Sequence, residues 1–405
     1  MTIGIDAHNL EIGRGGAAHR YLFNLLKVWN DVSTAPQVKF ILYFKKEIPK
    51  ELDFLAEEKF VKKILTAPFG FQSNALFVHW LLSRAAKKDK ADILFSPYYV
   101  LPVFYGGKTA VTLHDIFYEV NPKAFSWPSW ADKILLKRVS KISAKKASVI
   151  FAPSEFTKSE VVKYYKVSPQ KVFVTHLGVE EKFKKPSIFD RQKINPVRSN
   201  PPKADADVPL AHRTSNGVKE KYGIKNKFIF YIGSIFNRRR AEEAMNAFSQ
   251  IAEKLPDYQF LVIGKNSTRP FIDVKKIALG INALARAPLI IYQETVSEED
   301  LVVLYQAADL FIWLSDYEGF GLQVIEAQAS SVPVVTTRQG SLKEIAGEAA
   351  IFVENPASVS EIASAIYSGL TDEILRKNLI ESGLQNVKRF DWEQCAAETL
   401  ARLRF

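Results

Sequence analysis

The densest group of chemically useful residues in the chain is Trp313-Leu-Ser315-Asp-Tyr-Glu318-Gly319-Phe320-Gly321-Leu322-Gln-Val-Ile-Glu326. An apolar run enters a Gly-Phe-Gly turn and a helical pattern leaves it. Small residues at such a turn let backbone N–H groups approach a phosphate, and the dipole of the following helix favours the same anion. The two carboxylates cannot act as a close nucleophile and acid pair. Eight residues along a mostly helical path span up to about 12 Å, against the roughly 5 Å that paired-carboxylate hydrolysis requires. They are therefore read as two grips on one elongated ligand, Glu318 at its reacting end and Glu326 at a polyol such as ribose.

Three further groups could do chemistry. Arg238-Arg239-Arg240 follows the apolar run Tyr231-Ile-Gly233-Ser234 at a strand-to-helix turn. Adjacent guanidinium groups suit a solvated face, but they also hold phosphate oxygens bidentately and stabilise charge developing on a leaving diphosphate. His114 ends the run Ala110–Leu113, at a strand's carboxyl edge, where open parallel sheets bind ligands. Gly13-Arg-Gly15-Gly16 precedes an amphipathic helix and suits a diphosphate at the helix start, although its spacing departs from a dinucleotide fingerprint.

These positions require strands that end where the groups begin. Runs rich in Val, Ile and Phe recur at Val38–Phe44, Asp92–Ser96, Ala110–Leu113, Ser148–Phe151 and Val172–Thr175, after an apolar start at Met1–Asp6. A second series follows at Phe228–Ile232, Gln259–Ile263, Leu289–Tyr292, Leu310–Trp313 and Pro333–Thr336, with helical stretches at Ala241–Leu255, Asp300–Ala307 and Gln323–Ala329. Buried parallel strands alternating with helices predict two doubly wound α/β domains. Pro186–Gly217, with Asn195-Pro-Val-Arg-Ser-Asn-Pro-Pro202, is expected to be an exposed insertion between them. Its Asp205-Ala-Asp207 matches a metal-binding pattern but follows no strand, so no metal site is assigned.

A length of 405 residues exceeds one ordinary hydrophobic core. The single cysteine, Cys395, excludes an intrachain disulfide and cysteine-based zinc sites. Met1–Asp6 enters a strand directly and no apolar run reaches membrane-spanning length, so a cytoplasmic protein without a secretory signal is expected. The net charge of +11 is lopsided: 26 Lys and Arg stand against 16 Asp and Glu up to Glu180, and 29 against 28 beyond it. Runs such as Lys87-Lys88-Asp89-Lys90 and Lys145-Lys146 are solvated faces or contacts with an anionic membrane surface or a phosphorylated acceptor. No nucleic-acid partner is expected, because no nucleic-acid-binding signature accompanies the charge.

Together these motifs resemble glycosyltransferase family 4, and the resemblance covers nearly the whole chain. Gly15-Gly16 is similar to the family's glycine loop, Val111-Thr-Leu-His114-Asp115 to its strand-end histidine, and Ala152-Pro-Ser154-Glu-Phe-Thr157 and His176-Leu-Gly178-Val179 to later segments. Gly233 to Arg240 is similar to its diphosphate-holding segment, Glu318 through Glu326 to its Glu-x7-Glu motif, and Arg389-Phe-Asp-Trp392-Glu to its closing helix.

The resemblance implies a GT-B fold: Rossmann-like domains at 1–182 and 219–388 facing a central cleft, a linker or insertion at 183–218, and a helix at 389–405 crossing back to the first domain. It implies a retaining, metal-independent hexosyltransferase acting from a nucleoside diphosphate sugar, without a cofactor. His114, Glu318, Arg238 and Arg239 would be catalytic. Gly15, Gly16, Gly233, Ser234, Gly264, Val296, Gly319, Phe320, Gly321, Leu322 and Glu326 would join Arg238, Arg239 and Glu318 at the donor. Ile3-Gly-Ile-Asp6-Ala and His114-Asp-Ile resemble the mannosyltransferase-like branch, which points to GDP-mannose. The acceptor would be a saccharide or lipid-linked saccharide used in cell-surface glycan biosynthesis. The aromatic stretch Phe69–Leu82 is read as a core helix of the acceptor domain, with peripheral docking at the inner membrane face as the alternative. Two departures from the family pattern stand out: Arg239 replaces a usual Lys, and Ser331 replaces a common Gly. The competing functional classes are a non-catalytic nucleotide-sugar binder and a sugar epimerase of the same fold.

Overall fold

The computed structural model describes the chain apart from residues 13–15, 32–37, 68–72, 124, 126–129, 185–214, 286–287 and 405, and apart from the side chains of 12 and 130–135. The chain divides into two compact units, Met1–Gly178 with Phe390–Phe405, and Val179–Arg389.

The first unit is built on seven parallel strands: β1 (Thr2–Asp6), β2 (Lys39–Phe44), β3 (Phe60–Ile64), β4 (Ile93–Ser96), β5 (Lys108–Thr112), β6 (Val149–Ala152) and β7 (Val172–Val174), ordered β3-β2-β1-β4-β5-β6-β7. The order reverses between β1 and β4, where Ile5 lies opposite Phe95. Central strands such as Ile93-Leu-Phe-Ser96 are buried along their whole length, as continuous apolar runs require when helices cover both sheet faces. β3 was not visible as an apolar run, because Phe-Val-Lys-Lys-Ile is interrupted by two lysines. It is an edge strand, where lysines discourage further strand pairing.

The helix Ala17–Asp31 carries its apolar stripe inward on Tyr21, Leu22, Leu25, Leu26 and Trp29. The helix Trp392–Leu403 packs on it, with Trp29 Nε1 donating to Ala396 O at 2.9 Å. Of the aromatic stretch Phe69–Leu82, residues 69–72 lie outside the described residues. From Asn74 to Lys88 the chain is helical, burying Phe77, Val78 and Leu82 and leaving Trp80 43 % exposed.

The second unit has six parallel strands: β8 (Lys227–Ile232), β9 (Tyr258–Ile263), β10 (Ile290–Gln293), β11 (Leu310–Trp313), β12 (Val334–Thr337) and β13 (Ile351–Val353), ordered β10-β9-β8-β11-β12-β13. This is the doubly wound dinucleotide-fold order, and its reversal falls between β8 and β11. β13 escaped notice in the sequence because it is three residues long. Glu181–Phe183 form a short helical turn and Ser215–Lys221 a helix, so the ends of the expected insertion are regular. Its remainder, with Asp205-Ala-Asp207, lies outside the described residues. Phe183 is fixed by a ring contact with Tyr305 at 5.4 Å and by Ser330 Oγ, which donates to its carbonyl at 2.9 Å.

Ser331 adopts φ +61°, so the left-handed conformation favouring glycine is kept without one. It closes the helix Leu322–Ala329, with Ser331 N donating to Gln328 O and Val332 N to Ala327 O, both at 3.0 Å. Among the described residues no helix is long and apolar enough to cross a membrane.

Candidate active site

The reversal between β8 and β11 puts two strand exits side by side, and the predicted donor residues lie on both. From β8 the chain passes Gly233 and Ser234 and turns through Asn237–Arg239 into the helix Ala241–Ile251. From β11 it passes Leu314–Phe320 and enters the helix Leu322–Ala329. Asp316 N donates to Arg238 O at 2.8 Å, which ties the two exits together through their backbones.

Arg239 and Glu318 meet directly. Arg239 Nε donates to Glu318 Oε1 at 2.8 Å and Nη2 to Oε2 at 3.2 Å, while Nη1 donates to Ser234 O at 2.9 Å. Its guanidinium lies 4.6 Å from the Trp313 ring centroid and 5.3 Å from that of Phe236. A lysine at this position could match neither the fork on the carboxylate nor the planar stacking. Ser315 Oγ lies 3.1 Å from Glu318 Oε1, completing a buried polar knot. Burial alone would raise the Glu318 carboxyl, but Arg239 and Arg238 outweigh it and hold the group below the usual carboxylate range. Glu318 is therefore ionised at neutral pH.

The three arginines divide their tasks. Arg238 stacks over Phe236 at 4.5 Å, its Nε lying 3.4 Å from Tyr317 O. Arg240, at φ +49°, is held by Asp316 through Nε at 3.1 Å and Nη2 at 2.7 Å, and by Glu243 through Nη1 at 2.7 Å. It is a strut across the two exits, which the sequence did not distinguish from its neighbours.

The backbone of the motif is set by a third exit, from β12. Ser341 N donates to Glu318 O at 3.1 Å, and Ser341 Oγ lies 2.9 Å from that oxygen and 2.8 Å from Phe320 O. Gly340 sits against Glu318 at φ +63°, where a Cβ would fall 2.7 Å from Glu318 O. Gly321 turns the chain into the helix at φ +107°. Glu326 lies on that helix at 2 % exposure, and Gly319, Phe320 and Leu322 are buried beside it. The grip of Ser341 on Glu318 could not be read from spacing, because it depends on β12 pairing with β11.

Gly264 and Val296 follow β9 and β10 on the same carboxyl edge, at its outer end. Gly264 N donates to Gln293 O at 2.9 Å and Gly264 O accepts from Tyr292 OH at 3.0 Å. Val296 is half-buried ahead of the helix Glu298–Ala307. Of the glycine loop, Gly15 lies outside the described residues and Gly16 directly precedes the helix Ala17–Asp31.

His114 belongs to the first unit, just past β5, where it is buried between Tyr21 and Tyr99 with ring centroids 5.3 and 6.3 Å away. Its Nε2 lies 3.0 Å from Pro97 O, and that carbonyl can only accept. Nε2 therefore carries the hydrogen and Nδ1 is the lone-pair side, buried and without a partner among the described residues. Burial lowers the imidazole to about 4 despite the Pro97 carbonyl, which keeps the ring neutral at physiological pH. Among the described residues no group of three or more His, Cys, Asp or Glu is placed to hold a metal.

Two doubly wound parallel-sheet units, the second with an arginine–glutamate knot at its switch point, make this a protein of the GT-B fold class. Successive family models match the chain: Glycosyltransferase Family 4 over residues 44–183 and Glycosyl transferases group 1 over 216–386. The chain is 26 % identical to O-antigen chain mannosyltransferase B of Escherichia coli over 321 residues, 78 % of this chain and 75 % of that protein. In fold it is similar to sucrose-phosphate synthase from Thermosynechococcus elongatus, with a TM-score of 0.71, 18 % identity and coverage of 100 % and 98 % of the two chains. It is also similar to Anabaena Alr3699/HepE in complex with UDP-glucose, with a TM-score of 0.68, 17 % identity and 99 % of each chain covered. The chain belongs to glycosyltransferase family 4.

Proposed function

We propose that this glycosyltransferase moves a hexose, with mannose as first choice, from a nucleoside diphosphate sugar to a saccharide or lipid-linked saccharide in glycan biosynthesis. Transfer proceeds with retention at the anomeric carbon and without a metal. The observation carrying the reading is the Arg239–Glu318 pair at the β8 and β11 exits. The pair supports the reading because it joins the Arg239 guanidinium, next in sequence to Arg238, to an ionised carboxylate: cations suit a leaving diphosphate and a carboxylate suits sugar hydroxyls. The mannosyltransferase relative supports the choice of sugar, and the UDP-glucose bound by the Anabaena protein supports a nucleotide-sugar donor.

In this mechanism Arg238 and Arg239 neutralise the charge that grows on the departing diphosphate, the role a divalent ion fills elsewhere. Glu318 accepts from the hydroxyls of the transferred sugar, and Glu326 accepts from the ribose. His114, neutral and presenting Nδ1, takes a hydrogen bond from a sugar hydroxyl and orients it. No side chain is assigned as a covalent nucleophile. The basic first unit, with Trp80 and Phe104 exposed near Arg84 and Lys146, docks peripherally on an anionic membrane that carries the acceptor.

The test is a panel of nucleotide sugars scored for sugar release by the purified chain. GDP-mannose is expected to be turned over fastest, with UDP-sugars second. Nucleotide binding without release from any donor would instead support a non-catalytic binder.

A further inference from the structure

The first unit has its own strand-order reversal, and a charged dyad outside the machinery described above lies there. Asp6, the last residue of β1, is 1 % exposed. His8, two residues on, places Nδ1 2.5 Å from Asp6 Oδ1. The same carboxylate oxygen lies 3.4 Å from His8 N. One ring face packs on Phe77, with centroids 5.2 Å apart. His8 Nε2 has no hydrogen-bond partner among the described residues, and the side chain keeps 12 % exposure, so this nitrogen is the open end of the dyad.

The surroundings are tied down. Glu11 accepts from the backbone N–H groups of Lys45 and Lys46, locking the chain after β1 to the chain after β2. Lys45 Nζ lies 2.5 Å from Asn74 Oδ1, linking both to the helix that carries Phe77. On the other side β1 neighbours β4, whose exit carries Tyr98, 41 % exposed, and Tyr99, strained at φ +35°. An oriented imidazole with a carboxylate behind it suits a polyol, whose hydroxyls the open nitrogen can meet. The acidic groups Asp6 and Glu11 offset Lys45 and imidazolium, so the locale is no anion site.

We propose that the Asp6–His8 dyad binds and positions a hydroxyl of the acceptor saccharide, with Asp6 fixing Nδ1–H so that Nε2 accepts from that hydroxyl. The inference rests on the glycosyltransferase reading for the identity of the ligand as acceptor. Burial alone would lower the His8 ring. Asp6 and Glu11 outweigh it and Lys45, and raise it above its ordinary 6.5. The helix on the ring's far side contributes neutral Phe77. Only neutral His8 offers a lone pair at Nε2, so acceptor binding strengthens as pH rises through the His8 titration.

The experiment uses octyl α-D-mannopyranoside as the acceptor probe, titrated calorimetrically into the full chain and into His8→Phe and His8→Gln. His8→Phe is expected to weaken binding at least tenfold, and His8→Gln, which keeps an accepting oxygen, to recover most of that loss. The parent should bind more tightly at pH 8 than at pH 6, and neither variant should show this dependence. GDP-mannose hydrolysis without acceptor should stay within twofold in both variants, which also reports that they fold. Equal affinity in parent and His8→Phe, no binding by the parent, or a pH dependence that survives in the variants would overturn the proposal. Absence of donor hydrolysis in the parent would strike the donor reading instead, leaving the binding comparison to decide the dyad.

Discussion

His114 and Glu318 are both buried, and the charges around each decide which form it keeps. Glu318 is kept ionised by paired arginines, whereas His114 has no opposing charge and is kept neutral by desolvation. His114 titrates near 4 in the folded chain and near 6.5 when unfolded. Between those values the unfolded chain binds the extra proton, so stability is lost as pH falls from 6.5 towards 4. The loss from this group approaches about 3 kcal/mol at the acid end. His114→Gln should flatten the decline in melting temperature between pH 6.5 and 4.5, and a decline as steep as the parent's would contradict the assignment. Sequence placed His114 at a strand's carboxyl edge correctly. Its tautomer was illegible, because Pro97, seventeen residues earlier, comes into reach only when β4 and β5 pair. The Arg239–Glu318 contact was hidden likewise: each residue was assigned separately to a ligand, and their direct pairing across 79 residues follows from strand order.

At the scale of elements, the strand exits determine what the motif can hold. Exits from β8, β11 and β12 converge because those strands are consecutive in the sheet, although β9 and β10 intervene in the chain. The apolar runs and the turn after β11 were legible since both follow from local composition. β3 and β13 were not, one being masked by Lys62 and Lys63 and the other too short for a period. Ser331 marks where this chain departs from the glycine common in the family and retains the conformation glycine would favour. Relief of left-handed strain outweighs the added freedom of the unfolded chain, so Ser331→Gly should stabilise the fold by about 1 kcal/mol. Urea unfolding would measure it, and a lowered midpoint would mean that the serine is compensated elsewhere.

Across the whole molecule, charge is divided as the sheets are. The surplus of Lys and Arg lies before Glu180, and the second unit, which holds the arginine–glutamate knot, comes from a nearly balanced sequence. Such a surplus, alongside exposed Trp80 and Phe104, predicts co-sedimentation with vesicles containing anionic lipid, reduced by salt, and none with neutral vesicles. Equal recovery in the supernatant from both would remove membrane docking from the proposal. The central claim is that the second unit holds one elongated donor by its sugar and its nucleotide at separate points. Calorimetric titration of the whole chain with GDP and with GDP-mannose tests this most directly. Glu318→Gln should bind GDP like the parent but GDP-mannose at least tenfold more weakly, while Glu326→Ala should lose affinity for both. Parent-like binding of both ligands by Glu326→Ala, or of GDP-mannose by Glu318→Gln, would contradict the account.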